Sequence, residues 1–155
     1  MGKSRNTVRM LSLAACLFGS HVAYAAAPHA TQGDAMALVN RVILEMVNNG
    51  SEKTIEAINT HDPRFSDHDA HVIVHDMKAK ELANSVDPKA VGTDLSAWKD
   101  ADGNAIFQSR LTTLKTREKG WQDYTIVNPK TKKPEHKSSY FQVFKNVVIS
   151  CDISQ

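Results

Sequence analysis

The chain has 155 residues, enough for one domain of ordinary size, and 41% of them are apolar. It carries 19 Lys and Arg against 17 Asp and Glu. Three of the basic residues, Lys3, Arg5 and Arg9, fall in a leader-like start; without them the balance is 16 against 17, which excludes a nucleic-acid reading built on net charge.

Residues 1–25 read as an export signal rather than as fold. "MGKSRNTVR" is basic, "MLSLAACLF" is a short apolar run, and Ala23-Tyr24-Ala25 fits a small-residue cleavage site. The run is shorter than the ~20 residues of a membrane-spanning helix. A single mature domain over residues 26–155 is expected, exported to the periplasm. "LAAC", ending at Cys16, is similar to a lipoprotein cleavage box and supplies a competing reading in which Cys16 carries lipid. After cleavage only Cys151 remains, so an apolar core and not a disulfide must hold the domain.

In "GDAMALVNRVILEMVNNG", Ala35, Leu38, Val39, Val42, Ile43, Met46 and Val47 recur at steps of three and four, which predicts an amphipathic helix. Thr31 or Asp34 can cap its start and Gly50 can close it. A shorter helix follows from Ser51. Pro63 and its polar neighbours break the pattern. "AHVIVHD" and "KELANSV" predict two strands of a hairpin. A loop-rich stretch leads to a helix in "AIFQSRLTTLKTREKG", with Ile106, Phe107, Arg110, Leu111 and Leu114 on its buried stripe. "WQDYTIV", "SSYFQVF" and "VVISCDI" predict three more strands. Five strands with the helices segregated from them make an α+β domain on an antiparallel sheet.

His61, His68, His71 and His75, set among four aspartates, raise a metal-site reading. Val72-Ile73-Val74 argues for a strand there, which separates His71 from His75 by about 13 Å and denies one zinc both side chains. No nucleophile elbow and no glycine-rich phosphate loop is present. Cys151 alternates onto the face of Val147, Ile149 and Ile153 and reads as a small buried hydrophobe. "DADGN" lacks the downstream glutamate of a calcium loop and reads as a turn and helix cap. Trp121 and Tyr124 are three apart, so a regular strand sends them to opposite faces. Tyr140 and Gln142 share a face that could wall a polar pocket or pack as core, and Lys137 just before it could meet a carboxylate.

Several of these segments, in this order, resemble the single Cache domain, type 2, of bacterial extracytoplasmic sensors. The segments are Val91-Gly92-Thr93-Asp94-Leu95, Asp100-Ala101-Asp102-Gly103, Gly120-Trp121-Gln122-Asp123-Tyr124, Asn128-Pro129 and Lys137-Ser138-Ser139-Tyr140. The resemblance covers nearly the whole mature chain. It implies a PAS-like α+β fold, with a long N-terminal helix packed on a five-stranded antiparallel sheet. It implies a sensor-type pocket for a small organic anion, in particular a short carboxylate, with no cofactor and no catalysis. Carried over by position, the site residues are Trp121, Tyr124, Lys137 and Tyr140. Lys137 neutralises the carboxylate, the tyrosines donate hydrogen bonds and Trp121 closes an apolar wall. His71 stands where the family often has a tyrosine, and Asn84 where it often has a histidine, so both join the site set and the ligand is expected to differ. Family members usually sit between two membrane helices and drive an output domain. Here the sequence ends at Gln155, so the expectation is a domain without its own output. Its partner is then a membrane-bound sensor or receptor, or a second copy of itself docked through the N-terminal helix.

Overall fold

The computed structural model describes residues 29–155. The export signal, its cleavage site and Cys16 lie outside the described residues.

The long helix forms as its periodicity predicts, as α1 (Gln32–Asn49). Thr31 caps it with a reciprocal pair: its hydroxyl accepts from the Asp34 N–H, and the Asp34 carboxylate accepts from the Thr31 N–H. Gly50 ends it at φ 89°, a left-handed value that glycine adopts without a Cβ penalty. The next helix, α2 (Ser51–Asn59), starts at once. A short 3₁₀ turn at Pro63–Phe65 then leads into the sheet.

The strands are β1 (Ser66–Asp67), β2 (Ala70–Asp76), β3 (Glu81–Asn84), β4 (Lys119–Val127), β5 (Pro134–Phe144) and β6 (Val147–Ser154), with α3 (Ile106–Leu114) before β4. The main path runs β1-β2-β6-β5-β4, and β3 also pairs with β2; every pairing is antiparallel. There are six strands where five were expected. The extra one is the two-residue β1, which folds back on Ala70 and His71 through a tight turn too short to leave a period in the sequence.

The core lies between α1 and one face of the sheet. Leu38, Val39, Val42 and Met46 of α1 pack against Val72 and Val74 of β2, Ile149, Cys151 and Ile153 of β6, and Tyr140 of β5. Ile58 and Phe65 extend it. Each fully buried side chain of this size contributes about 1.5–3 kcal/mol against exposure. Cys151 is buried among them, as its alternation predicted, and burial pushes its thiol pKa up, away from reactivity.

The opposite face of the sheet is covered by α3 and by the loop between β3 and α3. Ile106, Phe107 and Arg110 are the buried residues of α3, and Leu111 and Leu114 are only partly covered. Gly120 on β4 lets α3 approach: a Cβ there would sit 2.9 Å from Phe141 and 3.3 Å from Thr113. In "DADGN" the turn reading holds and the cap reading does not. Asp100 Oδ1 accepts from the backbone N–H groups of Asp102 and Asn104, while Ala105 stands at the helix N-cap without a side-chain bond.

Candidate ligand-binding site

Antiparallel register sets side chains in transverse rows, and on one face of this sheet a row is polar from edge to edge. His71 pairs with Asp152, Asp152 with Ser139, and Ser139 with Gln122. All four therefore point to the face that α3 covers. Tyr124, two residues along β4, points the same way. Between this row and α3 lies a cavity of about 250 Å³, lined by His71, Ile73, His75, Tyr124, Ile126 and Asp152 from the sheet. Leu95 and Trp98 of the preceding loop and Ile106, Phe107 and Arg110 of α3 close it from above. That volume lies just under the ~300–1,000 Å³ of drug-sized sites, so the ligand it suits is small.

Two charged groups of opposite sign are buried here. Arg110 is 5% exposed, and burial lowers its pKa. Its Nε donates to Gln122 Oε1 at 3.2 Å and its Nη2 to Ser139 Oγ at 3.0 Å, and the guanidinium rests over the Phe141 ring at 5.1 Å. A guanidinium has five N–H donors, so three are left without a protein acceptor, and no carboxylate of the described residues lies within ion-pair distance. Asp152 is 4% exposed; its Oδ2 accepts from the Tyr124 hydroxyl at 2.7 Å and lies 3.8 Å from His71 Nε2. Burial alone would raise the Asp152 pKa, but the His71 and Arg110 charges, with Ser139 and Tyr124 beside it, bring it below the usual carboxylate value. Asp152 is therefore ionised at neutral pH. Burial, with the Asp152 charge and hydrogen bond added, pushes the Tyr124 phenol the other way, so it stays a donor.

His75 is the third polar group, 3% exposed and stacked edge-on against Phe107. Burial first, and the Arg110 charge second, lower its pKa to about 4, so it is a neutral ring. Neither of its nitrogens has a hydrogen-bond partner among the described residues, and the same is true of Asp152 Oδ1. The rest of the wall is apolar. Trp98 meets Tyr124 edge to face with ring centroids 5.7 Å apart.

Of the six site residues expected from the sequence, the cavity brings together two, His71 and Tyr124. Trp121 and Tyr140 are not in it. They pair with each other across β4 and β5, and their rings lie 5.3 Å apart on the α1 side of the sheet. Tyr140 is part of the main core. The physical reason is the period of two: β4 pairs with β5 without a bulge from Lys119 to Val127, so Trp121 and Tyr124 cannot share a face. Lys137 pairs directly with Tyr124 and shares its face, but its side chain does not line the cavity. Its Nζ donates to Ser154 Oγ at 2.9 Å and lies 3.7 Å from Glu135, at a shallower polar recess with Asp123 and His136. Asn84 is on the cavity face beside Ile73, but its side chain is already engaged. The amide donates to Glu81, and the oxygen accepts from the N–H groups of Val86 and Asp87, so it builds the turn after β3.

The expected set left out Arg110 and Asp152. Both had a signal: an arginine on the buried stripe of a helix, and an aspartate alternating with Cys151 on an apolar strand. Each is a charge that the fold must shelter.

The sequence matches the Single Cache domain 2 family over residues 3–153. The chain belongs to this family. Its members are extracytoplasmic ligand-sensing modules, so this is a Cache sensor domain. It is 33% identical over 79 residues, 51% of its length, to the methyl-accepting chemotaxis protein McpP of Pseudomonas putida, and that match spans 14% of the receptor. Its fold is similar to a Cache chemosensory domain described for carboxylic acid recognition, with 22% identity and a TM-score of 0.63 over 79% of this chain and 91% of that one. It is also similar to a methyl-accepting chemotaxis protein of Vibrio parahaemolyticus, with 16% identity and a TM-score of 0.63 over 79% of this chain and 86% of that one. At these identities the structural likenesses establish the fold.

Proposed function

We propose that this Cache domain senses a short organic carboxylate in the periplasm, after export through the leader at residues 1–25, and passes the signal to a membrane-bound receptor. The carrying observation is Arg110. A buried guanidinium with three free N–H groups, opening onto a small cavity, offers bidentate recognition of a carboxylate. Arg110 takes the role that the family resemblance gave to Lys137, and Tyr124 and His71 complete the polar side. Trp98, Phe107 and Ile126 close around the carbon end. The likeness to a carboxylic-acid-recognising Cache domain supports the same reading. The test is calorimetry with acetate, propionate, pyruvate and lactate. Binding of at least one of them is expected, and its loss in Arg110→Met; silence from all four would sink the carboxylate reading.

Self-association through α1 is a second reading, favoured by Met36, Leu44 and Val47, which form an exposed apolar stripe on its outer side. Light scattering checks it: a monomer across the micromolar range removes it.

A further inference from the structure

One rim of the sheet gathers cations from three separate turns. Asp76 at the end of β2 pairs with Val147, Val147 with Phe144, and Gln142 with Lys119. The Glu118 carbonyl accepts from the Val143 N–H. Lys78 and Lys80 of the β2–β3 turn, Lys145 of the β5–β6 turn, and Lys115, Arg117 and Lys119 between α3 and β4 therefore lie along one edge. Three inter-strand spacings of ~4.8 Å make that row about 15 Å long. All six side chains are exposed, and none is in an ion pair among the described residues.

Charge is segregated along the molecule. The six are drawn from the 16 Lys and Arg that follow the leader. Of the 17 acids, Asp76 and Glu118 stand in the same segments, and Asp94 faces Lys80 across a bridge. The Asp76 carboxylate already accepts from the N–H groups of Lys78 and Lys80. The rim is positive on a domain whose remaining charge is negative.

We propose that this rim docks on a bilayer surface rich in anionic phospholipid. The proposal is independent of the carboxylate reading. Composition decides between a lipid and a protein partner. Protein interfaces are poor in lysine and are anchored by aromatic residues and arginine. The rim has five lysines to one arginine and no exposed aromatic ring in its turns. Ammonium groups on flexible stems act on phosphate headgroups as point charges and demand no fixed partner geometry. Met77, 42% exposed beside Lys78, is an apolar side chain placed to enter the headgroup layer. Ala30 is held by Asp69, and Gln155 by the His136 carbonyl, at the other end of the strands. A rim on the bilayer thus points both described ends away from it.

The experiment is co-sedimentation of the purified protein with vesicles of phosphatidylcholine alone, or with about a third phosphatidylglycerol, at about 50 and about 300 mM salt. Binding at least about tenfold tighter to the anionic vesicles is expected, and it should weaken at the higher salt because exposed charges are screened. Each lysine near an anionic surface contributes about fivefold, so Lys78→Gln, Lys119→Gln and Lys145→Gln together should cost on the order of a hundredfold. Lys130→Gln, Lys132→Gln and Lys133→Gln remove the same charge from the β4–β5 turn at the opposite end. That second triple variant should bind within about threefold of the unaltered protein. All of these side chains are exposed, and circular dichroism checks that both variants fold. No binding to the vesicles, equal affinity for the two kinds, or an equal loss in both triple variants overturns the docking rim. Binding to poly-L-glutamate with none to either vesicle overturns the lipid assignment and gives the rim to an acidic protein.

Discussion

Val72, Val74, Ile149, Cys151 and Ile153 on one face of β2 and β6 alternate with His71, Ile73, His75, Ser150 and Asp152 on the other. The same two strands thus carry a closed apolar face under α1 and a polar, open face under α3. On the α1 side Leu38, Val39, Val42 and Met46 pack against these apolar residues, and among the described residues no buried polar side-chain atom there lacks a partner. On the α3 side two fully buried residues, His75 and Asp152, keep polar atoms unpaired. Close packing stabilises the first face. The second face holds a cavity in place of part of that packing.

The sharpest way to separate the faces is to damage each in turn. Ile149 is fully buried beneath α1. Ile149→Ala removes three carbons and leaves a cavity, so unfolding in urea should show a loss of about 2–5 kcal/mol. Ligand affinity of the folded variant should stay close to that of the unaltered protein, because the side chain points away from the site. A large loss of affinity without loss of stability would show that the two faces are coupled.

The next effect is in pH, and it belongs to the open face. The pKa of His75 falls from 6.5 to about 4 on folding. The unfolded chain therefore binds a proton between those values and the folded one does not, so stability is lost as pH falls from about 6.5 through about 4. The shift corresponds to on the order of 3 kcal/mol. Glu81, with its pKa raised by burial and its carboxylate 4.0 Å from His75, works in the opposite direction in the lower part of that window. Comparing the unaltered protein with His75→Leu isolates the histidine. The variant's stability should be flatter between pH 6.5 and 4, and an unchanged slope would mean that His75 is not the group responsible.

The fold was legible because its signals are periodic and local. The α1 stripe, the Thr31–Asp34 cap and the alternation in "AHVIVHD" and "VVISCDI" each carry their own evidence in sequence. β1 was not legible, since two residues have no period. The site was legible only in part, for a different reason. Residues carried over by position inherit a family's pocket only if they point into it, and alternation along β4 already required Trp121 to turn away from Tyr124. Arg110 and Asp152 needed a step that no single segment contains. Their neighbourhood is made by the row His71, Asp152, Ser139 and Gln122, which depends on the register of four strands from three parts of the chain.

Lys137 gives the smallest expected effect and discriminates best between the positional reading and the geometric one. If the ligand's carboxylate sat against this lysine, Lys137→Ala would abolish binding. In the structure its ammonium is spent on Ser154 and on a partly exposed Glu135, outside the cavity lining. A contact of that kind is worth about 0–1 kcal/mol. Lys137→Ala should therefore unfold within about 1 kcal/mol of the unaltered protein and bind its carboxylate within roughly twofold, since 1.4 kcal/mol is needed for a factor of ten. Calorimetry on Lys137→Ala beside Arg110→Met settles which cation faces the ligand. Retained binding in the first and none in the second places the carboxylate under α3, and the reverse pattern moves it to the recess beside Asp123 and His136.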